Sequence, residues 1–122
     1  MNIYKFWEAT LAQDAVKMRE FFHDDAYVNW HNTNEHFSLE EFIRANCEYP
    51  DKWHGEVERV EIIENLIITA THVYTENRTL SFHVVSFIKI IDNKIYSIDE
   101  YWGNDGAVPQ WRLDKGIGKV IK

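Results

Sequence analysis

Residues 56–102 read EVERVEIIENLIITATHVYTENRTLSFHVVSFIKIIDNKIYSIDEYW, and this stretch decides the fold. It divides into four long runs rich in β-branched and aromatic residues, Glu56–Ile63, Leu66–Thr75, Thr79–Ile91 and Lys94–Trp102, a composition that favours strands. The links Glu64-Asn65, Asn77-Arg78 and Asp92-Asn93 are short enough for hairpins. Four strands joined in this way form an antiparallel meander.

The residues before the meander have a different rhythm. Ile3, Phe6, Trp7, Thr10 and Leu11 form one stripe of an amphipathic helix. Asp14 suits the N-cap of a second helix, with Ala15, Met18, Phe21 and Phe22 inward, and His23-Asp24-Asp25 then breaks it. Ala26–His31 reads as a short first strand. A third helix is announced by Ser38 with Glu41, the two halves of a capping box, and by Phe37 and Phe42, placed to form a hydrophobic staple. Pro50 closes it by forcing Tyr49 out of the helical region. Three helices and one strand ahead of a meander make an α+β arrangement in which helices cover one face of one sheet. The tail from Gly103 has turn chemistry at Asp105-Gly106, one aromatic able to be buried, Trp111, and no clear regular element.

The chain has 122 residues, of which 45% are hydrophobic and 15% aromatic. This suits one domain over residues 1–122, with its core at about 3–112 and a tail at 113–122. A net charge of -7 repels nucleic acid and anionic membrane, and the basic tail residues Lys115, Lys119 and Lys122 are too sparse to reverse that. No apolar stretch approaches the roughly 20 residues of a membrane helix. The lone Cys47 and the absence of a leader-like segment at Met1 suit a reducing cytoplasm. There is no Gly-rich phosphate loop and no Gly-x-Ser-x-Gly elbow, so no cofactor is expected. His31 and His36 lack metal-site spacing, so no metal is expected either.

The order of elements resembles the SnoaL-like, polyketide-cyclase-like branch of the nuclear transport factor 2-like superfamily, over roughly residues 3–112. The matching strings are Trp30 ending the first strand, Ser38-Leu39-Glu40-Glu41-Phe42, Asn46 with Tyr49-Pro50, and Asp92-Asn93-Lys94-Ile95. Glu100-Tyr101-Trp102 and Pro109-Gln110-Trp111-Arg112 complete them. The resemblance implies a cystatin-like cone, with three N-terminal helices packed on a strongly bent, mixed but mostly antiparallel sheet enclosing a small-molecule cavity. It carries little about chemistry, since the superfamily includes isomerases, cyclases, epoxide hydrolases, dehydratases and inactive proteins. Its epoxide hydrolases have an acidic residue at the position of Glu100, but they also need an Arg two residues before an Asp on an earlier strand. Here that stretch reads Thr69-Ala70-Thr71-His72-Val73-Tyr74, so this hydrolysis is not expected.

Parity along the strands separates two faces. Phe82, Val84, Ser86, Ile88 and Ile90 are the more apolar set and face the cavity. A turn at Asn77-Arg78 sets Val73 opposite Phe82 and His72 opposite His83. His72, Tyr74, His83, Val85 and Phe87 then lie on the outer face, unless a β-bulge reverses the parity and turns His72 or Tyr74 into the cavity, and a face so apolar suggests a homodimer formed sheet against sheet. The resemblance points the same way.

In the last strand Ile98, Glu100 and Trp102 share the inner face. Glu100 is the candidate catalytic group, because a carboxyl among apolar neighbours can carry a proton near neutrality. Trp30, Tyr49, Phe82, Val84, Ile98 and Trp102 are expected to wall the cavity, and Asn46, which interrupts the apolar stripe of the third helix, either meets a ligand carbonyl or satisfies a backbone group. His31 reads as an exposed strand-end residue and Cys47 as a small core residue. Three functions stay open: an acid–base isomerase, cyclase or lyase acting on a small apolar carbonyl compound, a binding module using the same cavity, and a protein-interaction domain.

Overall fold

The strand runs form the sheet they predict. In the computed structural model, which describes all 122 residues, the elements are α1 (Ile3–Leu11), α2 (Ala15–Glu20), β1 (Phe22–Trp30), β2 (Glu35–Ser38) and α3 (Leu39–Cys47). β3 (Trp53–Ile63), β4 (Leu66–Thr75), β5 (Ser81–Ile91), β6 (Lys94–Asn104) and α4 (Gln110–Asp114) follow. The six strands make one mixed sheet in the order β2-β1-β6-β5-β4-β3, open at both edges. β3 to β6 are the antiparallel meander, and β1 lies parallel to β6.

Hairpin counting places the β4–β5 register correctly, with Val73 opposite Phe82 and His72 opposite His83. Asp92 and Asn93 both take positive φ, at 50° and 62°, as a tight two-residue hairpin requires. The register shifts between Phe22 and Tyr27, between Val57 and Arg59, and between Lys89 and Ile90. Irregularities of this kind bend strands.

The core lies between the concave face of the sheet and the helices. On β4 the residues Ile67, Thr69, Thr71, Val73 and Thr75 are buried, and on β5 so are Val84, Ser86 and Ile88. α1 buries Ile3, Phe6, Trp7, Ala9 and Thr10, and Phe6 meets Phe21 and Phe22 edge to face. The Trp7 indole N–H donates to Thr69 Oγ1 at 3.1 Å, pinning the helix to β4. α3 begins with the expected capping box, in which the Ser38 hydroxyl accepts from the Glu41 amide and the Glu41 carboxylate accepts from the Ser38 amide. Phe37 and Phe42 both pack edge to face on Trp30.

Four expectations are corrected. The second helix ends at Glu20, and Phe22 to Asp25 belong to β1. Asp24 and Asp25 are exposed within the stretch where the β1–β6 pairing is interrupted, so this strand segment looks like a breaker in sequence. β2 was not anticipated, since Glu35-His36-Phe37-Ser38 is a short polar edge strand held only by β1. Thr79 belongs to the turn, because the Leu80 amide donates to Thr75 Oγ1 and the Thr75 amide to the Leu80 carbonyl, so β5 starts at Ser81. The tail forms the one-turn helix α4, a fourth helix, and Trp111 on it is exposed.

Gly55 on β3 is the partner of Val73 on β4. A Cβ there would meet the His72 carbonyl oxygen at 2.4 Å. Gly55→Ala is therefore expected to cost about 1–3 kcal/mol, the usual range for overpacking, measured by urea unfolding.

Candidate functional site

The register of three strands builds the site around one carboxyl group. β6 lies between β1 and β5, and Glu100 is the partner of Trp30 on one side and of Ser86 on the other. Each neighbour contributes a donor. The Trp30 indole N–H donates to Glu100 Oε1 at 3.0 Å, and the Ser86 hydroxyl donates to Oε2 at 2.6 Å. Glu100 is only 3% exposed, and no cation pairs with it. Burial pushes its carboxyl above the ordinary glutamate range, against the pull of the Ser86 and Trp30 donors. The Trp102 indole N–H leans toward the same carboxylate without completing a hydrogen bond.

Glu100 opens onto a cavity of about 310 Å³ with 17 lining residues, of which 11 are hydrophobic. That size suits a small organic molecule. Trp30, Trp53, Phe82 and Trp102 form aromatic walls, with Phe82 packed on both Trp53 and Trp102. The exposed residues Asn32, Thr33, Tyr49 and Asn104 mark the opening. Asn32 clasps Trp102 there, accepting from its backbone amide at 2.5 Å and donating to its carbonyl. Trp102 Nε1 is itself buried, on the Glu100 side of the ring, and completes no hydrogen bond.

Of the residues expected in the cavity, Trp30, Asn46, Tyr49, Phe82, Glu100 and Trp102 line it, while Val84 and Ile98 do not. These two are fully covered beneath it, at 1% and 0% exposure, because their strand positions face inward at the level of the packed core. Asn46 touches the cavity, but its amide N–H₂ donates to the Thr10 carbonyl at 2.8 Å and lies 3.3 Å from Met18 Sδ. It therefore ties α3 to α1. Gln13, at φ 57°, reinforces the same corner by donating to the Asn46 and Tyr49 carbonyls, both at 2.9 Å.

Periodicity could have found further lining residues: Phe6, Trp7, Thr10 and Leu11 are the predicted stripe of α1, and Val73 lies opposite Phe82. Trp53, Asn32, Thr33 and Asn104 come from strand ends and a turn, which periodicity does not orient. His31 is exposed, lying 2.8 Å from Asp99 and stacking on Tyr101 at 4.4 Å, outside the cavity. Cys47 Sγ lies 3.6 Å from Met18 Sδ, and burial pushes its thiol up. His72, Tyr74, His83, Val85 and Phe87 do not line the cavity and occupy alternate positions to the buried set on β4 and β5.

The raised Glu100 carboxyl has a consequence for stability. In the unfolded chain Glu100 loses its proton in the ordinary range, whereas the native state keeps it to higher pH. Across that window the native state binds more protons, so this group lowers stability as pH rises and is neutral below the window. Glu100→Gln removes the effect. Urea unfolding should show the variant gaining on the natural chain as pH rises above the ordinary glutamate range.

No family model and no curated protein sequence matches the chain. Solved structures do. A nuclear transport factor 2-like protein of unknown function from Burkholderia xenovorans superposes with a TM-score of 0.78 at 20% identity, over 97% of this chain and 91% of that one. A candidate ketosteroid isomerase from Kribbella flavida gives 0.81 at 16% identity, over 98% and 87%. A candidate SnoaL-like polyketide cyclase from Jannaschia sp. CCS1 gives 0.69 at 13% identity, over 82% and 81%. At such identities the likeness is one of fold, and the fold of this chain is the nuclear transport factor 2-like α+β fold.

Proposed function

We propose that the chain binds a small, largely apolar carbonyl compound in its cavity and acts on it as an acid–base isomerase, cyclase or lyase, with Glu100 as the proton carrier. The observation that carries this is a fully desolvated carboxyl opening onto an aromatic cavity of about 310 Å³. A carboxyl with its proton affinity raised by burial suits a group that takes a proton from carbon beside a carbonyl and returns it elsewhere. Similar solved structures described as candidate ketosteroid isomerase and polyketide cyclase agree with this class of chemistry.

A second reading has its own support. Both Glu100 oxygens already accept from Trp30 and Ser86, an arrangement that also suits a structural carboxyl in a cavity that holds a ligand without changing it. Turnover distinguishes the two. We further propose that two copies of the chain associate through the outer sheet face, where Val85, Phe87 and Tyr101 are exposed apolar residues in a cross-strand group. The single cluster of 18 buried residues supports one domain over residues 1–122. No helix is long and apolar enough to cross a membrane. The composition supports the cytoplasm as its place.

The first test is a thermal-shift screen of the natural chain and Glu100→Gln against small ketones, epoxides, polyketide-like aromatics and fatty acids. A ligand at 100 times its dissociation constant adds about 2.7 kcal/mol of stability. For a hit that is turned over, Glu100→Gln should keep binding and lose about 10²–10⁴-fold in rate. Undiminished turnover would remove Glu100 from the mechanism, and binding without turnover in the natural chain would favour the second reading. For the dimer, sedimentation velocity should show that Val85→Glu with Phe87→Glu produces monomers, while a natural chain already monomeric at high concentration would refute it.

A further inference from the structure

On the side of the sheet turned away from the cavity, three adjacent strands bring Glu58, His72 and His83 together, one residue from each of β3, β4 and β5. One ligand atom from each lies within 4.8 Å of the others. The two histidines are direct partners across the β4–β5 hairpin, with rings stacked at 4.7 Å and only 8° apart. Glu58 joins them because the register of β3 shifts between Val57 and Arg59, which makes Glu58 the extra residue of that strand.

For neutral rings, the surrounding hydrogen bonds set the tautomers. The Ser81 hydroxyl donates to Asp105 Oδ2 at 2.5 Å, so its oxygen is left to accept the His72 Nε2 proton at 3.0 Å. His72 Nδ1 is then a bare lone pair 3.4 Å from Glu56 Oε2. Asp105 Oδ1 accepts the His83 Nδ1 proton, which leaves His83 Nε2 as a bare lone pair 3.3 Å from Glu58 Oε1. Each ring thus presents an acceptor to a carboxylate. Such contacts repel until a proton or a metal cation enters them.

We propose that Glu58, His72 and His83 hold a divalent first-row cation of the zinc type on this face, with Asp105 as the positioning residue that orients His83. Two imidazoles and a carboxylate, with water in the remaining position, are a donor set suited to zinc. A carboxylate accepting the second ring proton of a metal-ligating histidine is the usual supporting contact. With metal–ligand bonds of about 2.0–2.2 Å the donors would stand roughly 3.3–3.5 Å apart, so binding requires the three side chains to close in from their present separations of up to 4.8 Å. Glu58 Oε2 already meets the Lys122 ammonium at 3.2 Å, which leaves Oε1 for the ion. Motif spacing does not reveal such a site, because its ligands come from three strands.

The test uses the full chain and zinc or cobalt(II) alone, by titration calorimetry and by the visible absorption of bound cobalt. The expected result is one ion per chain, a zinc-dependent rise in melting temperature, and loss of about 10–100-fold in affinity or more on His72→Asn or His83→Asn. Asp105→Asn should weaken binding while keeping the one-to-one ratio, and His31→Asn, away from the cluster, should leave it unchanged. Circular dichroism of the metal-free variants separates a lost site from a lost fold, and if both histidine variants unfold, Glu58→Gln carries the same test. Absence of binding at micromolar zinc, or equal affinity in the folded variants, overturns the proposal.

Discussion

A carboxyl cannot be withdrawn from water without donors to replace it, and the interior of this molecule is organised around meeting that requirement for Glu100. Donors arrive from both flanking strands because β1 runs parallel to β6 in the one register that sets Trp30 beside Glu100, while the β5–β6 hairpin sets Ser86 on the other side. A slip of one residue in either pairing would turn the donor to the opposite face. The same Trp30 ring packs on Phe37, Phe42 and Trp102, so the residue that satisfies the carboxyl also anchors α3 and one cavity wall. Removing that ring would disturb charge, helix and cavity together.

The two faces of the sheet solve opposite problems. On the concave side the meander mixes Thr and Ser with Ile and Val, and two of its hydroxyls have specific uses: Thr69 receives the Trp7 N–H, and Ser86 serves Glu100. On the outer side, imidazoles and carboxylates are crowded together. Asp105 lies below the ordinary aspartate range although its partial burial opposes this, because Ser81 and His83 donate to it and the nearby imidazoles favour its charge. The local register shift in β3 matters to both faces, since it adds Glu58 outside while Val57 and Val60 still pack against the core.

Much of this was legible in the sequence, for identifiable reasons. Strong two-fold alternation and short turns gave the β4–β5 pairing to the residue, and the absence of a register shift between those two strands kept His72 and Tyr74 on the face opposite Val73. The capping box at Ser38 marked the start of α3 because that motif reports a local geometry. What escaped depended on distant partners. β2 is polar and gains its strand character only from β1, and Asp24 and Asp25 look like a break because the pairing beside them is irregular. Asn46 was visible as an interruption of an apolar stripe, but its partner, the Thr10 carbonyl, comes from another helix and could not be read. Val84 and Ile98 had the right parity, yet parity does not report depth along the cone.

The parallel pairing of β1 with β6 also orders events in time. Seventy residues separate Trp30 from Glu100, whereas the hairpins of the meander close over a few residues, so the meander can assemble early and the first strand must wait for the last. During synthesis the helices and β1 leave the ribosome before the strand they require exists. The rings of Phe6, Phe22 and Phe42 can already pack on one another at that stage, but the pairing of β1 with β6 that completes the sheet beneath them comes last.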